Sequence, residues 1–546
     1  MAATSSEYNK YTVAQLRQLL KDNNLHVSGN KSDLVQRLEQ YYQFTNSNTT
    51  ITKTTTPKTT RKQKISKTLP IIEITDHIRS SIAKSMSIGY FKDVISALNK
   101  NMNIPNLNME YSGPEDKITI KVKQGLAEGL ANNTTIKKFS LSIDIDDLIA
   151  HGLNNNNSIK FLKIKSSQIK TLNNFIPQHL DNLELTVDSQ TDNIFMDALT
   201  EHLKADLSIR KFTVIYANYD SSDDQIYKYL DKNKNITNLF LIFYDFVLPE
   251  SFIQKILNSS IISLKIQYQN RELDTLMSLI KHLTFNEHIV EFDISSIYIL
   301  DPENYDNSNL SLLFEQLISK NHTLEILKLR NNYFTNDVGY GIVRGLRKNR
   351  SIHTLDLGLN MFSEEIYVEF ANMISNNESL GVVKLQLPLV VKDQSTHDSN
   401  ITLDMVEKAF ASALTTNQNL IELDIVNGKF TTPDIFIALQ SNNTLERLNL
   451  SRSNFGNNVA IYISEMIKHN RSLRKIDISH GTHMSNDKIV NIIRSIQYNP
   501  NIVEFNIESS SNDFFLYEYA TPYLQRNREQ QRITNEPLIN KLLSIL

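Results

Sequence analysis

One short phrase recurs along most of this chain: an asparagine, a variable residue, a Ser, Thr or Asn, an apolar residue, two variable positions and an apolar-x-apolar triplet. Clear copies are "NHTLEILKL" at Asn321, "NRSIHTLDL" at Asn349, "NNTLERLNL" at Asn442 and "NRSLRKIDI" at Asn470. Repetition at a regular period is typical of a solenoid, because each unit then buries its apolar face only against its neighbours. The repeat therefore restricts the body of this 546-residue chain to a stacked array.

The spacing between copies defines the size of one unit. With the first apolar residue as a marker, the copies run from Ile136 to Ile502 at a mean interval of about 28 residues,. Helical periodicity precedes the markers, for instance at 311–321 and 337–349, and the alternating apolar residues of a strand follow them,. We therefore predict an α/β array in which each unit contributes one strand and one helix.

Several units continue with the pattern L-x-L-x-x-N-x-F, as in "LKLRNNYF". In this continuation we expect Asn332 and Asn360 to bond the backbone where it turns after the strand. The pattern resembles the ribonuclease-inhibitor type of leucine-rich repeat, and the resemblance implies a horseshoe-shaped solenoid with parallel inner strands and outer helices. Insertions at 298–309 and 389–400 predict surface loops that could form part of a binding edge.

Alternate residues along each strand of such an array face its concave inner surface. These positions carry both charge signs with acidic residues in excess, which disfavours nucleic acid on this surface and favours a protein partner. Exposure to water explains the same charges equally well, so the partner is not identified. The candidate protein-binding residues are Asp293, Lys328, Arg330, Asp356, Asp424 and Asp477. Other charged positions predicted on this face are Glu291, Glu422, Arg447, Lys475, Glu504 and Glu508.

The N-terminal segment follows a different pattern. Residues 11–42 read "YTVAQLRQLLKDNNLHVSGNKSDLVQRLEQYY". Thr12 and Gln15 form a capping box, which predicts a helix start, and a second helix is predicted to begin near Asn30 and to turn Val35 inward. The segment is therefore predicted to fold as a small helical hairpin.

The hairpin resembles the SAP domain over about residues 8–44. The residues that carry the resemblance are Leu16, Leu19, Leu20, Leu25, Gly29, Lys31, Leu34, Arg37 and Leu38. Asn24 departs from the family, which often has glycine there, but asparagine tolerates the same left-handed backbone. The resemblance implies binding of duplex DNA or chromatin, with a preference for AT-rich segments.

The start of the second helix has the features of an anion site. Gly29 lets the backbone approach a ligand, the unpaired amide groups of the helix start point outward, and Lys31 and Ser32 add donors. Alternatively, Gly29 and Asn30 only shape a turn, or the module binds RNA or protein. The candidate DNA-binding residues are Arg17, Lys21, Gly29, Asn30, Lys31, Ser32 and Arg37.

The charge of the chain is divided unevenly. Residues 1–68 contain 11 Lys and Arg against 4 Asp and Glu, a net charge of +7, whereas the rest of the chain carries −10. A basic arm suits a polyanion and an acidic body does not. Residues 45–68 are rich in Thr and Lys and poor in large apolar residues, which predicts a disordered basic linker. Its "RKQK" stretch fits a nuclear import signal, so we expect a nuclear protein, with a cytoplasmic one as the alternative.

No motif indicates catalysis. The chain has no cysteine, which excludes disulfides, thiolate nucleophiles and cysteine-ligated metals, and it lacks GxxxxGK[ST], HExxH and GxSxG. Gly339, Gly341 and Gly345 fall in a predicted helix, and His480 with His483 lacks the carboxylates that would complete a metal site. The chain also shows no signal-peptide core and no stretch approaching the roughly 20 apolar residues of a membrane span, so we expect neither secretion nor a membrane partner.

We therefore predict a non-enzymatic adaptor, without cofactor or small-molecule substrate, that binds DNA through its first module and a protein through its repeats. Because Ran GTPase-activating proteins share this repeat type, a GTPase regulator is one alternative. A substrate receptor of a ubiquitin ligase is another, since "LPIIEITDHI" resembles the start of an F-box. The predicted segments are the SAP-like module at 8–44, the linker at 45–68, a helical cap with degenerate first repeats at 69–130, leucine-rich repeats at 131–530 and a C-terminal cap helix at 531–546.

Overall fold

The computed structural model describes residues 12, 13, 31, 35, 88–109, 118–165, 179–187, 209–216, 230, 231, 233–244, 248–269, 273–297, 307–387, 402–480, 484–507 and 520–543. The chain divides into two compact units, residues 1–69 and 70–546. In the first unit Val13, Lys31 and Val35 are helical, and Val35 is buried whereas Lys31 is exposed. These residues fit the two predicted helices and the predicted inward position of Val35.

The second unit contains a parallel sheet whose fifteen described strands follow one another in chain order. This sequential order is what a solenoid of strand-helix units requires, because each strand then pairs with those of the adjacent units. The strands of the sheet are β1 Asn106–Met109, β2 Lys138–Leu141, β3 Phe161–Lys165, β4 Asn182–Val187, β5 Lys211–Tyr216, β6 Asn238–Tyr244, β7 Ser263–Gln269, β8 Glu291–Asp293, β9 Ile326–Lys328, β10 Thr354–Asp356, β11 Val382–Gln386, β12 Glu422–Val426, β14 Arg447–Asn449, β16 Lys475–Asp477 and β17 Glu504–Asn506. A separate pair is formed by β13 Lys429–Phe430 and β15 Asn454–Phe455.

Helices alternate with these strands. The described helices are α1 Ile88–Asn99, α2 Ile120–Asn132, α3 Asp147–Asn154, α4 Glu250–Leu257, α5 Asp274–Leu283, α6 Asn307–Lys320, α7 Asn336–Leu346, α8 Glu364–Asn376, α9 Leu403–Thr416, α10 Asp434–Ser441, α11 Ala460–His469, α12 Asn486–Ser495 and α13 Thr521–Leu543. The predicted helices at 311–321 and 337–349 are confirmed as α6 and α7. The last helix, α13, begins ten residues ahead of the cap helix predicted from 531. None of the described helices is long and apolar enough to cross a membrane.

The core lies between the sheet and the helices. In β9 the middle residue Leu327 is fully buried, whereas Ile326 and Lys328 are partly exposed. Leu355 of β10 and Leu448 of β14 occupy the same buried position. The buried strand residues and the buried faces of the helices belong to one continuous hydrophobic cluster. Each unit is therefore stabilised by burial against its neighbours, as the repeated phrase predicts.

The glycines of α7 allow it to pack closely on α6. A Cβ added at Gly341 would overlap the carbonyl oxygen of Ser311, and one at Gly345 would lie 2.7 Å from the Cβ of Ile318. The helical position predicted for these glycines is confirmed. Their absence of side chains serves helix packing, which leaves no reason to assign them to a phosphate-binding loop.

The asparagine of the repeated phrase connects each unit to the preceding one. Asn349 is completely buried. Its Nδ2 donates to the carbonyl oxygens of Ile318 (2.7 Å) and Asn321 (3.2 Å), and its Oδ1 accepts from the backbone N–H of Ser351 (2.9 Å) and Ile352 (2.7 Å). The buried asparagines that link to the preceding unit in the same manner are Asn156, Asn286, Asn321, Asn377, Asn417, Asn442, Asn470 and Asn499. We call this series the asparagine ladder.

The two ends of the asparagine ladder differ. At its C-terminal end, Asn527 of α13 donates to the carbonyl oxygens of Asn499 (2.9 Å) and Ile502 (2.7 Å). At its N-terminal end, the Oδ1 of Asn133 accepts from Thr135 and Ile136, but its buried Nδ2 has no hydrogen-bond partner among the described residues. The early start of α13 is explained by Asn527, which continues the ladder from within the helix.

A second asparagine position closes the turn after the strand. The Nδ2 of Asn332 donates to the carbonyl oxygen of Leu329 (3.2 Å), and that of Asn360 donates to the carbonyl oxygen of Leu357 (3.0 Å). Both bonds confirm the role predicted from the L-x-L-x-x-N-x-F pattern. The second unit is thus a leucine-rich-repeat solenoid of the predicted α/β class. The predicted insertions lie outside the described residues, except that residues 307–309 begin α6.

Candidate binding surfaces on the inner face of the sheet

The face of the sheet opposite the helices, here the inner face, displays the first and third residues of each strand. Across six adjacent strands the third residue alternates in charge. In register these residues are Lys265, Asp293, Lys328, Asp356, Lys384 and Asp424. Neighbouring strands lie about 4.8 Å apart, so each charge has one of opposite sign on the adjacent strands. We call the inner-face residues of β7–β12 and β14 the paired surface.

Ion pairs across strands neutralise much of the paired surface. Lys265 lies 3.6 Å from Asp293, and Lys328 pairs with Glu291. Arg330 lies 3.8 Å from Asp356 and donates to the side-chain oxygen of Gln386 at 3.3 Å. These charged side chains therefore form ion pairs with one another on the sheet.

Glu422 occupies the centre of the next group of ion pairs. Its carboxylate lies 2.7 Å from the Nζ of Lys384 and 2.5 Å from the Nε of Arg447, and Lys384 also lies 3.7 Å from Asp424. Burial alone would raise the pKa of Glu422, but the hydrogen bonds from Lys384 and Arg447 outweigh it and the pKa is lowered. The pKa of Asp424 is raised because burial outweighs the attraction of Lys384. Lys384 thus contacts both carboxylates, but the pKa of Glu422 is lowered and that of Asp424 is raised.

The acidic residues of this surface also shape the turns that follow the strands. The Oδ1 of Asp293 accepts from the N–H of Ser295 (2.9 Å), and that of Asp356 accepts from the N–H of Gly358 (3.0 Å). The residue directly after each of these bonded amides has a positive φ, namely Ser296 and Leu359. An aspartate or asparagine accepting from the amide two residues on stabilises such a turn. Burial raises the pKa of Asp356 despite its bond from Gly358.

Asp477 follows the same pattern at the end of the array. Its Oδ1 accepts from the N–H of Ser479 (3.0 Å), and its Oδ2 accepts from the Nδ2 of Asn506 (3.0 Å). Asn449 on the preceding strand makes the equivalent bond to Ser451 (3.0 Å). Where this position carries an acceptor oxygen, the acceptor can therefore be a neutral amide as well as a carboxylate.

All six candidate protein-binding residues lie on the inner face or directly after its strands. Asp293, Lys328, Arg330, Asp356 and Asp424 take part in the ion pairs of the paired surface. Of the charged positions named beside them, Glu508 lies outside the described residues. Ion pairing and the hydrogen bonds of the turns explain these acidic residues without a bound protein. Their role in binding a protein therefore stays a prediction.

The first strands of the sheet carry a different surface, which sequence reasoning missed. Lys138 and Lys211 are the first residues of β2 and β5, and both are exposed. We call the basic residues on or directly before β2, β3 and β5 the lysine surface. Its members are Lys137, Lys138, Lys160, Lys163, Lys165, Arg210 and Lys211. The signal was present in the alternating lysines of "FLKIK", but the candidate set began only at Glu291.

Few carboxylates reach the lysine surface. Lys163 pairs with Glu184 at 2.6 Å, and the Nζ of Lys160 donates to the carbonyl oxygen of His179 at 3.2 Å. Over the described ranges of the chain, no carboxylate lies within ion-pair distance of Lys138 or Lys211. Although burial alone would raise the pKa of Glu291, the positive charge of Lys211 is among the interactions that lower it. Lys138 and Lys211 are therefore more available to a ligand than the ion-paired cations of the paired surface.

The DNA-binding residues predicted in the N-terminal module can be compared with the structure at one position. Lys31 is exposed and helical, in agreement with a position at the start of the second helix. The others lie outside the described residues: Arg17, Lys21, Gly29, Asn30, Ser32 and Arg37. Their roles stay predictions.

Metal binding receives no support from the part of the chain that the structure describes. No group of three or more His, Asp or Glu residues there is arranged to hold a metal ion. His480 is exposed directly after β16, in a left-handed conformation, and His483 lies outside the described residues.

Comparisons with known proteins divide along the two units. Residues 7–43 match the family model of the SAP domain. A search of curated protein sequences finds no match to the chain. Among solved structures, the crystal structure of the TLR13–ssRNA13 complex is similar with 13% identity and a TM-score of 0.36, covering 74% of this chain and 54% of that one. The C-terminal domain of tropomodulin from Caenorhabditis elegans is similar with 13% identity and a TM-score of 0.24, covering 36% of this chain and 96% of that one. The chain thus spans about half the length of the first of these structures.

Proposed function

We propose that this chain is an adaptor that binds duplex DNA through its SAP domain and a protein partner through its leucine-rich repeats. The observation that carries the proposal is the match of residues 7–43 to the SAP domain. The second unit supplies an extended sheet face, which repeat solenoids use to hold protein partners. A chain that combines the two would hold its protein partner on chromatin, and hence in the nucleus.

The physical support for DNA binding lies at the start of the second helix of the module. Lys31 is exposed and helical there, and a helix start attracts phosphate through its unpaired amide groups and its dipole. Arg37, which the sequence predicts on the same helix, would add a second phosphate contact. Such contacts position a protein on DNA without reading its sequence.

Binding of an AT-rich 20-base-pair duplex by the full chain tests the DNA function. In the double variant Lys31→Glu/Arg37→Glu, we expect the affinity to fall at least about tenfold and the slope of log K against log salt to fall by about 2, because two phosphate contacts are lost. A matched control is Lys281→Glu/Lys408→Glu, which changes the net charge equally at exposed positions of α5 and α9. Equal binding by parent and double variant would show that the module does not use this helix start.

For the protein partner, the more accessible members of the paired surface are the best candidates. The side chains of Lys328 and Arg330 are 35% and 40% exposed, whereas those of Asp293 and Asp356 are 11% and 17% exposed. Proximity labelling of nuclear proteins by the full chain should therefore lose its main product in a Lys328→Glu/Arg330→Glu variant. A labelling pattern unchanged by this variant would exclude these two residues from the interface.

A further inference from the structure

The lysine surface extends over four adjacent strands. Lys138 on β2 and Lys211 on β5 take the same position in the register, three strand steps apart. At about 4.8 Å per step, their backbones lie about 14 Å apart. Lys163 on β3 lies between them, with its side chain 48% exposed. A row of cations of this length suits a chain of phosphates better than a single anionic group.

An aromatic ring lies within this row. Phe161, the first residue of β3, is partly exposed on the inner face and pairs in register with Lys138 on one side and Asn182 on the other. It is not part of the hydrophobic core formed by the described residues. Its register partners on the neighbouring strands, Lys138 and Asn182, are polar and do not add it to the apolar core. The ring is available to a planar ligand.

We infer that the lysine surface binds single-stranded nucleic acid. Lys138 and Lys211 would contact phosphates on either side of Lys163, which is paired with Glu184, and a base would stack on Phe161. Cations beside a stacking ring are the combination found in proteins that bind single strands without sequence preference. A duplex offers the same phosphates but hides the faces of its bases. An acidic protein segment would be attracted by the same lysines but would not need an aromatic ring beside them.

This site is separate from the SAP domain, and the inference does not depend on what that domain binds. Glu184 of β4 lies within this part of the inner face and is paired with Lys163. The acidic residues farther along the inner face belong to the paired surface, where lysines and arginines neutralise them. The negative charge of those strands therefore repels a nucleic acid less than its residue composition suggests.

The test uses the full chain with Lys31→Glu/Arg37→Glu as background, a fluorescently labelled 20-nucleotide oligo(dT) as probe, and a 20-base-pair duplex beside it. We expect Lys138→Gln/Lys211→Gln to weaken oligo(dT) binding about tenfold and to lower the salt slope by about 1.4, since each phosphate contact with a single strand contributes about 0.7. Lys281→Gln/Lys408→Gln, with the same change in net charge on the helices, should bind as the background does.

Phe161→Leu distinguishes a base-stacking site from a site for any polyanion. The leucine keeps an apolar side chain but removes the ring, so we expect oligo(dT) binding to fall at least about fivefold. Phe161→Tyr, which keeps a ring, should restore it. Circular dichroism and thermal unfolding of each variant confirm that the array remains folded.

Three results would overturn the inference. The first is oligo(dT) binding that is unchanged by Lys138→Gln/Lys211→Gln, and the second is an equal loss of binding in the helix control. The third is displacement of oligo(dT) by oligo-glutamate at equal charge, combined with no effect of Phe161→Leu. The last result would identify a site for acidic protein segments. Because duplex binding by the parent chain reports on the SAP domain and oligo(dT) binding in the background reports on the lysine surface, failure of one proposal is distinguishable from failure of the other.

Discussion

The lysine surface and the paired surface lie on the same face of one sheet, yet their charges have different consequences. On the paired surface, Glu422 alone holds two cations, Lys384 and Arg447, within 2.7 Å. On the lysine surface, Lys138 and Lys211 have no carboxylate in ion-pair distance among the described residues. The difference shows that strand pairing, and not residue type alone, decides whether a charged side chain on the inner face has a partner of opposite charge.

Repetition makes such compensation easy. Strands in parallel register place equivalent positions of consecutive units next to each other, so alternating the sign from one unit to the next pairs every charge. Lys265 to Asp424 follow this alternation. Lys138 and Lys211 are first residues of their strands and stand outside this alternation, and the strands between them carry the uncharged Phe161 and Asn182 at that position.

The largest expected effect concerns the asparagine ladder, whose first position makes fewer bonds than its middle. Asn349 makes bonds through both ends of its amide, so Asn349→Ala should lower the free energy of unfolding by about 4 kcal/mol, at about 1 kcal/mol for each of its four main-chain bonds. Asn133, next to the lysine surface, bonds only through Oδ1, and Asn133→Ala should cost about half as much. Urea denaturation measures both. Equal losses would mean that the ladder is as strong at its first position as in its middle.

A smaller effect depends on pH and arises at a buried carboxyl group of α9. Glu407 of α9 is 3% exposed; its Oε2 accepts from the N–H groups of Thr431 and Thr432, and its buried Oε1 has no partner among the described residues. Burial raises its pKa to about 7 from the ordinary 4.5. A carboxyl with a raised pKa stabilises the folded chain below its unfolded value and loses that contribution as pH rises through the folded one.

Glu407→Gln should therefore remove this dependence. We expect the stability of the parent relative to Glu407→Gln to fall between about pH 4.5 and 7 by on the order of 2 kcal/mol and then to stay constant. Urea denaturation of both proteins across this range measures the difference. Glu378→Gln, an exposed substitution on the turn after α8, serves as the control. A difference that rises with pH would show that the bonds from Thr431 and Thr432 outweigh burial.

The sequence predicted best the features that depend on a repeated period or on interactions between residues close in the chain. The repeated phrase predicts the solenoid, and "LKLRNNYF" predicts the turn closed by Asn332, because a strand period and a side-chain bond within three residues can be read directly. The asparagine ladder was visible as a recurrent residue, but its bonds join atoms about 30 positions apart. Asn527 could not be found in this way. It extends the asparagine ladder from a helix, and the residues around it do not match the repeated phrase.

The candidate site was harder to predict for the same reason. Whether Asp356 is available to a partner depends on Arg330 of the preceding unit and on the amide of Gly358, and neither follows from its own position in the phrase. Conversely, Lys138 lacks an ion pair among the described residues because no described carboxylate on the adjacent strands lies close enough to it. Predicting whether such a charge is paired therefore requires the register of the neighbouring strands, residue by residue.

The next prediction tests the two surfaces against each other directly. Glu422→Gln removes a charge that both Lys384 and Arg447 contact, so the free energy of unfolding should fall by about 1 kcal/mol at low salt and by less at high salt. Lys138→Gln/Lys211→Gln should change it by less than about 0.5 kcal/mol under both conditions. Guanidinium would screen the effect, so urea is the denaturant. A loss in the lysine variants as large as that in Glu422→Gln would mean that the lysine surface is paired as well.

The smallest effect concerns Asp356, whose two duties can be separated because the chain itself contains the control. Asn449 stands at the equivalent position of β14 and makes the same bond to the amide two residues on. Asp356→Asn should therefore keep the turn and lose only the 3.8 Å ion pair with Arg330, which lowers the free energy of unfolding by less than about 0.5 kcal/mol. Asp356→Ala also leaves the N–H of Gly358 without its acceptor and should cost about 1 kcal/mol. If urea denaturation gives the two variants equal stability, the turn does not need the side-chain acceptor, and the retention of an acid at this position would favour a role in binding a partner.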